Sequence, residues 1–124
     1  MKSTTIRRST TSVLSAAAIV VGVLAGTAQA NNVGNIGVGS GNTAGVKCIQ
    51  KSYNYIANRG LAVDGIYGNA TKQATIDFQR LFKLGVDGIV GKQTGDTLWW
   101  AVNYKAGWGL YENWGCQSKV PNSR

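Results

Sequence analysis

A nine-residue unit occurs twice in this chain, 23 positions apart. Val63-Asp64-Gly65-Ile66-Tyr67-Gly68-Asn69-Ala70-Thr71 is answered by Val86-Asp87-Gly88-Ile89-Val90-Gly91-Lys92-Gln93-Thr94, with six of nine positions identical, V-D-G-I-x-G-x-x-T. An Asp-Gly step makes a tight turn, in which Gly65 and Gly88 are free to take positive φ. Ile66 and Ile89 are expected to enter the core as apolar plugs. Gly68 and Gly91 would allow close approach just before a helix, with Thr71 and Thr94 in its first turn. Asp64 and Asp87 would lie near helix N-termini, where an anion is favoured. Each unit reads as a loop-into-helix corner, used twice.

The segments around the corners are periodic at helical spacing. Val46, Ile49, Tyr53 and Ile56 or Ala57 fall on one face, with Asn42 or Thr43 as cap and Gly60 as stop. A second helix is predicted over about 69–84, with Ala70, Ala74, Phe78, Leu81 and Phe82 inward and Gly85 ending it. A third is predicted over about 92–104, with Leu98, Trp99 and Val102 on its apolar side. Nothing of length reads as a strand. The fold class expected is all-α, a small three-helix bundle over 46–104, followed by an aromatic extension over 105–124.

The first thirty residues follow a different grammar. Lys2, Arg7 and Arg8 open the chain, an Ala/Val/Leu-rich stretch follows, and Ala28-Gln29-Ala30 closes it with small residues at both positions a leader peptidase reads. A secretory signal cut after Ala30 is expected, with no stable membrane insertion afterwards. An uncleaved membrane anchor is the alternative. Residues 31–45, with five Gly, four Asn and no charge, read as a flexible linker. Outside the cell, Cys48 and Cys116 are expected to pair and to tie the extension back.

Composition narrows the chemistry. There is no His among the 124 residues, only two Cys and five acids: Asp64, Asp77, Asp87, Asp96 and Glu112. That excludes Ser-His-Asp and Cys-His nucleophile sites, His-containing zinc sites and closed Cys₄ clusters. No metal or cofactor is expected. The basic residues are scattered rather than striped, so a solvated surface accounts for them better than a nucleic-acid partner does.

At this point the chain resembles the peptidoglycan-binding domain family, small three-helix modules attached to many bacterial cell-wall hydrolases. The residues that carry the resemblance are Val46 with Ile49-Gln50, both V-D-G-I-x-G units with Thr71 and Thr94, Ala74, Phe78-Gln79 and Leu98. It implies non-covalent retention on bacterial peptidoglycan, glycan or stem peptide, with no chemistry of its own, and a secreted or wall-associated location. Two core positions depart from the pattern: Tyr53 replaces an aliphatic residue and Thr75 replaces a Val. Asn69 and Lys92 also stand where the family usually has Pro soon after the second glycine, and residues 101–124 lie outside it.

Asp64 and Asp87 have two readings. As an acid–base pair they would flank a sugar bond. As turn formers they need only precede Gly, and they would still offer acceptors to muropeptide amides or sugar hydroxyls. The ligand-binding set expected on the corners is Asp64, Gly65, Tyr67, Gln79, Asp87, Gly88 and Val90, joined by Trp100. Gln79 reads equally well as a loop brace, and Tyr67 and Val90 as plug or groove wall. Trp99 reads as core under a folded-back tail, whereas Trp100, Trp108 and Trp114 are candidates for stacking on sugars. A second reading of the whole is a secreted protein-interaction module, an inhibitor or assembly partner, that uses the aromatic tail.

Overall fold

The computed structural model describes residues 31–124. The expected signal sequence lies outside the described residues. Three helices of full length form the body: α1 (Thr43–Ala57), α2 (Asn69–Leu81) and α3 (Lys92–Ala106). A single turn, α4 (Leu110–Asn113), follows in the extension. The architecture is the all-α bundle expected, with α3 packed against both α1 and α4.

Helical periodicity placed the core correctly along α1 and α3. Val46, Ile49 and Tyr53 are buried from one end, and Leu98 and Val102 from the other, around Ala74 and Phe78 of α2. Asn42 caps α1, its Oδ1 accepting the Gly45 N–H at 2.9 Å. Two helix ends differ from expectation. Asn58 takes the left-handed conformation that stops α1, at φ 51°, two residues before Gly60. Lys83, at φ 56°, does the same after α2, which therefore ends at Leu81 and leaves that side chain exposed.

The corners invert one expectation. Ile66 and Ile89 are exposed, and the buried plugs are the non-identical neighbours Tyr67 and Val90. The reason is the partner waiting inside. Tyr67 reaches across to donate its hydroxyl to Gly88 O at 2.8 Å, and Val90 pairs its backbone with Ile36 in an isolated antiparallel bridge. Gly68 and Gly91 are extended residues at the starts of α2 and α3 with no side-chain cap. A Cβ at Gly68 would meet nothing within 4 Å, so close packing is not its role.

Residues 31–42 are not the flexible tether their composition suggested. Ile36 is fully buried, and its N–H and C=O bond Val90 at 3.0 and 2.8 Å. Asn31 donates its side-chain amide to Gln117 O and Val120 O, while its own Oδ1 accepts the Asn122 N–H. Gly/Asn-rich composition hides one large apolar anchor, and that anchor, with backbone pairing, fixes the strap. Residues 43–45 are already the first turn of α1.

The extension folds back as expected. Cys48 of α1 and Cys116 are disulfide-bonded across a sequence separation of 68, a crosslink worth about 4 kcal/mol in the chain-entropy account. Two helical glycines make room for it. A Cβ on Gly95 would sit 1.7 Å from Pro121 O, and one on Gly45 would sit 2.4 Å from Lys119 O. The tail backbone therefore lies directly on α1 and α3.

Candidate ligand-binding site

Each corner is built around a glutamine from the preceding helix. Gln50 on α1 donates its amide to Asp64 Oδ1, Ile66 O and Thr71 Oγ1 at 3.0, 3.0 and 3.1 Å. Its Oε1 accepts the N–H groups of Asp64 and Gly65. Gln79 on α2 repeats the arrangement with Asp87 Oδ1, Ile89 O and Thr94 Oγ1 at 2.9, 2.9 and 3.2 Å, and with the N–H groups of Asp87 and Gly88. Both glutamines are 1% exposed. A buried amide that meets four loop groups and a threonine of the next helix satisfies the corner and itself at once.

The aspartates complete the turns rather than capping helices. Asp64 Oδ1 accepts the Ile66 N–H and Asp87 Oδ1 the Ile89 N–H, each at 2.9 Å, the side-chain-to-backbone turn that Asp favours. Those donors, the Ile66 N–H first and the Gln50 amide second, hold the Asp64 carboxyl below the usual carboxylate range. Of the corner residues expected to touch ligand, Gly65, Tyr67, Gln79, Gly88 and Val90 are buried and serve as framework. Only Asp64 and Asp87 remain on the surface there.

Trp100 lies elsewhere, on the rim of a groove of about 410 Å³ where α1, α2 and α3 converge. Its lining is largely apolar and includes Ile56, Phe78, Leu81 and Phe82. Trp100 and Tyr104, one turn apart on α3, stack at 4.9 Å and 19°, and Phe82 meets Trp100 edge-on at 6.2 Å. The two rings are 42% and 67% exposed, so the stack forms an open aromatic step. Polar groups stand at the edges. Arg59 pairs with Asp77 at 2.8 Å and, as the largest cause, holds that carboxyl below its ordinary range. Lys105 also lines the groove, with its ammonium on Tyr55 O at 2.8 Å.

Spacing along the chain picked out Trp100 but not Phe82, Arg59 and Asp77 beside it, because they arrive from α2, its end and the loop after α1. The available signal was the i,i+4 spacing of Trp100 and Tyr104. The other tail aromatics divide. Trp99 is half-buried between the Trp108 ring at 5.6 Å and the Arg124 guanidinium at 3.5 Å, and Trp114 packs edge-on against Tyr55. Trp108 is exposed.

Among the described residues, no group of His, Cys, Asp and Glu side chains could hold a metal ion, and no helix is long and apolar enough to cross a membrane. The helix–corner–helix–corner–helix order, braced by Gln50 and Gln79, is the part of the chain that a family model recognises. That model is described as "Putative peptidoglycan binding domain" and matches residues 45–98. Over this segment the chain is similar to the peptidoglycan-binding domain family. No curated protein and no solved structure gave a match. The matched segment supplies one wall of the groove, and Trp100, Tyr104 and Lys105 lie just beyond it.

Proposed function

We propose that the chain is an exported, non-catalytic module that binds bacterial peptidoglycan through this groove. The observation that carries the reading is the Trp100–Tyr104 step, open to solvent at the edge of a peptidoglycan-binding domain. A sugar ring presents a flat face of C–H groups that stacks on such a surface, while hydroxyls and amides turn to the Arg59–Asp77 pair and Lys105. Export is supported by the leader-like pattern of residues 1–30 and by a disulfide suited to an oxidising exterior. The lack of His and the commitment of each corner aspartate to a turn support a binding role without chemistry.

The test is co-sedimentation with purified peptidoglycan stripped of protein and teichoic acid, at low salt and at physiological salt, where the Debye length is about 8 Å. Pelleting should survive the higher salt and fall about tenfold or more in affinity for Trp100→Ala with Tyr104→Ala, in line with losing a pair of anchoring aromatics. Pelleting confined to low salt, or indifferent to both substitutions, sinks the reading.

One feature favours a second partner class. The lining of Ile56, Phe78, Leu81 and Phe82 is apolar enough to take the face of an amphipathic helix from a secreted protein. Retention on walls only when another protein is present would select that reading.

A further inference from the structure

The two corners share residues that the fold does not require. Of the six identical positions, Asp and Thr are bonded to Gln50 or Gln79, the first glycine takes positive φ, and the second begins a helix. Val and Ile have no such duty. Val63 and Ile66 are 46% and 68% exposed, and Val86 and Ile89 are 48% and 41% exposed. The position that does fill the core differs between the copies, Tyr67 in one and Val90 in the other. Core packing predicts the opposite: fixed residues inside and free variation outside.

Each exposed pair flanks an aspartate with spare capacity. Oδ1 of Asp64 and of Asp87 is taken by the turn and the glutamine, and no group among the described residues binds either Oδ2. A shallow depression opens at each corner. Asp64, Ile66 and Thr71 line one of about 200 Å³, and Lys72, Asp87 and Ile89 line one of about 400 Å³. The corners are also close together, because the Tyr67 side chain from the first ends on the Gly88 carbonyl of the second.

We infer that the two corners are quasi-equivalent subsites for successive repeat units of one peptidoglycan strand. Each takes a methyl-bearing group on its exposed isoleucine and an amide or hydroxyl donor on its free aspartate oxygen. A duplicated surface is matched by a duplicated ligand, and both copies fall inside the segment that the peptidoglycan-binding family covers. The five-bond brace on each loop holds the contact atoms in place before the ligand arrives, so little ordering entropy is spent on binding. The inference rests on the peptidoglycan reading above but uses a different surface from the groove.

The experiment compares soluble muropeptides: a single disaccharide-peptide, and a fragment of two consecutive disaccharide-peptides on one glycan strand. The purified, oxidised chain is titrated with each by calorimetry. The two-unit fragment should bind about tenfold more tightly or better, since the second contact is intramolecular once the first is made. Ile66→Thr or Ile89→Thr should each reduce that advantage to about threefold or less, while single-unit affinity changes by no more than about twofold. Near-ultraviolet dichroism should be unchanged, as both side chains are exposed. Equal affinity for the two ligands, or an advantage that survives both substitutions, overturns the inference. Wall binding that is lost with Trp100 and Tyr104 but indifferent to Ile66 and Ile89 leaves the groove reading standing and removes this one. No binding of any fragment removes both.

Discussion

The Tyr53 hydroxyl donates to Thr75 Oγ1 at 3.0 Å, a hydrogen bond between two fully buried side chains on α1 and α2. A phenol placed in a core needs a partner, and a threonine across the helix interface supplies one. Thr75 Oγ1 in turn donates to Thr71 O and lies 2.6 Å from the Tyr67 hydroxyl. A small buried polar network thus links α1, α2 and the first corner. Thr75→Val should orphan the Tyr53 hydroxyl and destabilise the fold by about 1–3 kcal/mol, and Tyr53→Phe alone by about 1 kcal/mol. The double variant should cost about 1 kcal/mol less than the sum. Additive urea denaturation energies would show that the two positions are independent.

The two glutamines should behave alike. Gln50→Ala and Gln79→Ala each remove five hydrogen bonds and strand loop N–H groups, at Asp64 and the buried Gly65 in one case and at Asp87 and the buried Gly88 in the other. Each is expected to cost about 2–4 kcal/mol, reduced from the full penalty because water can reach the opened loop. Gln→Glu should be nearly as damaging, since a carboxylate cannot donate to Asp Oδ1, Ile O and Thr Oγ1. A loss below about 1 kcal/mol for either alanine variant, measured by urea unfolding, would show that the corner stands without its brace.

Gly95→Ala should dislodge the tail. The added methyl would lie 1.7 Å from the Pro121 carbonyl oxygen, a backbone atom that cannot swing away as a side chain would. Overpacking of this kind costs about 3 kcal/mol or more. The disulfide at Cys116 would keep the preceding residues attached, so the loss should localise to 117–124. Amide exchange should then quicken at Val120, whose N–H bonds Cys116 O, and at Asn122. A Gly95→Ala variant as stable as the parent would mean that the tail rests elsewhere.

Tyr111 carries the opposite lesson, a buried polar atom with nothing to do. Its side chain is 1% exposed and its hydroxyl has no hydrogen-bond partner among the described residues. Tyr111→Phe should therefore raise stability by about 1 kcal/mol, by removing a desolvated hydroxyl while keeping the ring. A loss of that size instead would reveal a buried water serving the phenol.

The fold was legible wherever a single periodic stripe decided it. Val46, Ile49, Tyr53, Leu98 and Val102 could be placed inward from spacing alone, and the Asp-Gly steps announced their turns. Choices between adjacent residues were not legible. Ile66 and Tyr67 are both apolar enough to fill a core, and the glutamine that orients the loop lies 14 positions from Asp64 in one corner and 8 from Asp87 in the other. Composition also misled where one residue carried the energy, as Ile36 does for a strap otherwise made of Gly and Asn. Gly45 and Gly95 look like poor helix residues until the tail that lies on them is known. Trp100 was visible as a candidate, but the groove beside it is assembled by tertiary contact between three helices, which no local pattern encodes.

Stability should be flat through neutrality and fall at both ends of the pH scale. Asp64 and Asp77 titrate below the ordinary carboxylate range in the fold, through the Ile66 N–H and the Arg59 guanidinium respectively. Unfolded, both titrate near 3.9, so their contribution is fully present above about pH 5 and is lost as pH drops towards the folded values. Tyr53, Tyr67 and Tyr111 are pushed the other way, chiefly by burial. The unfolded phenols ionise near pH 10 while the folded ones resist, so stability is present below about pH 9 and declines as pH rises beyond 10. With no histidine in the chain, no side chain titrates ordinarily between those limits. Thermal unfolding midpoints should show a plateau with two shoulders. Asp77→Asn should shallow the acid arm, and Tyr111→Phe should shallow the alkaline one. A step in the midpoint between about pH 5.5 and 7.5 would contradict this assignment of charges.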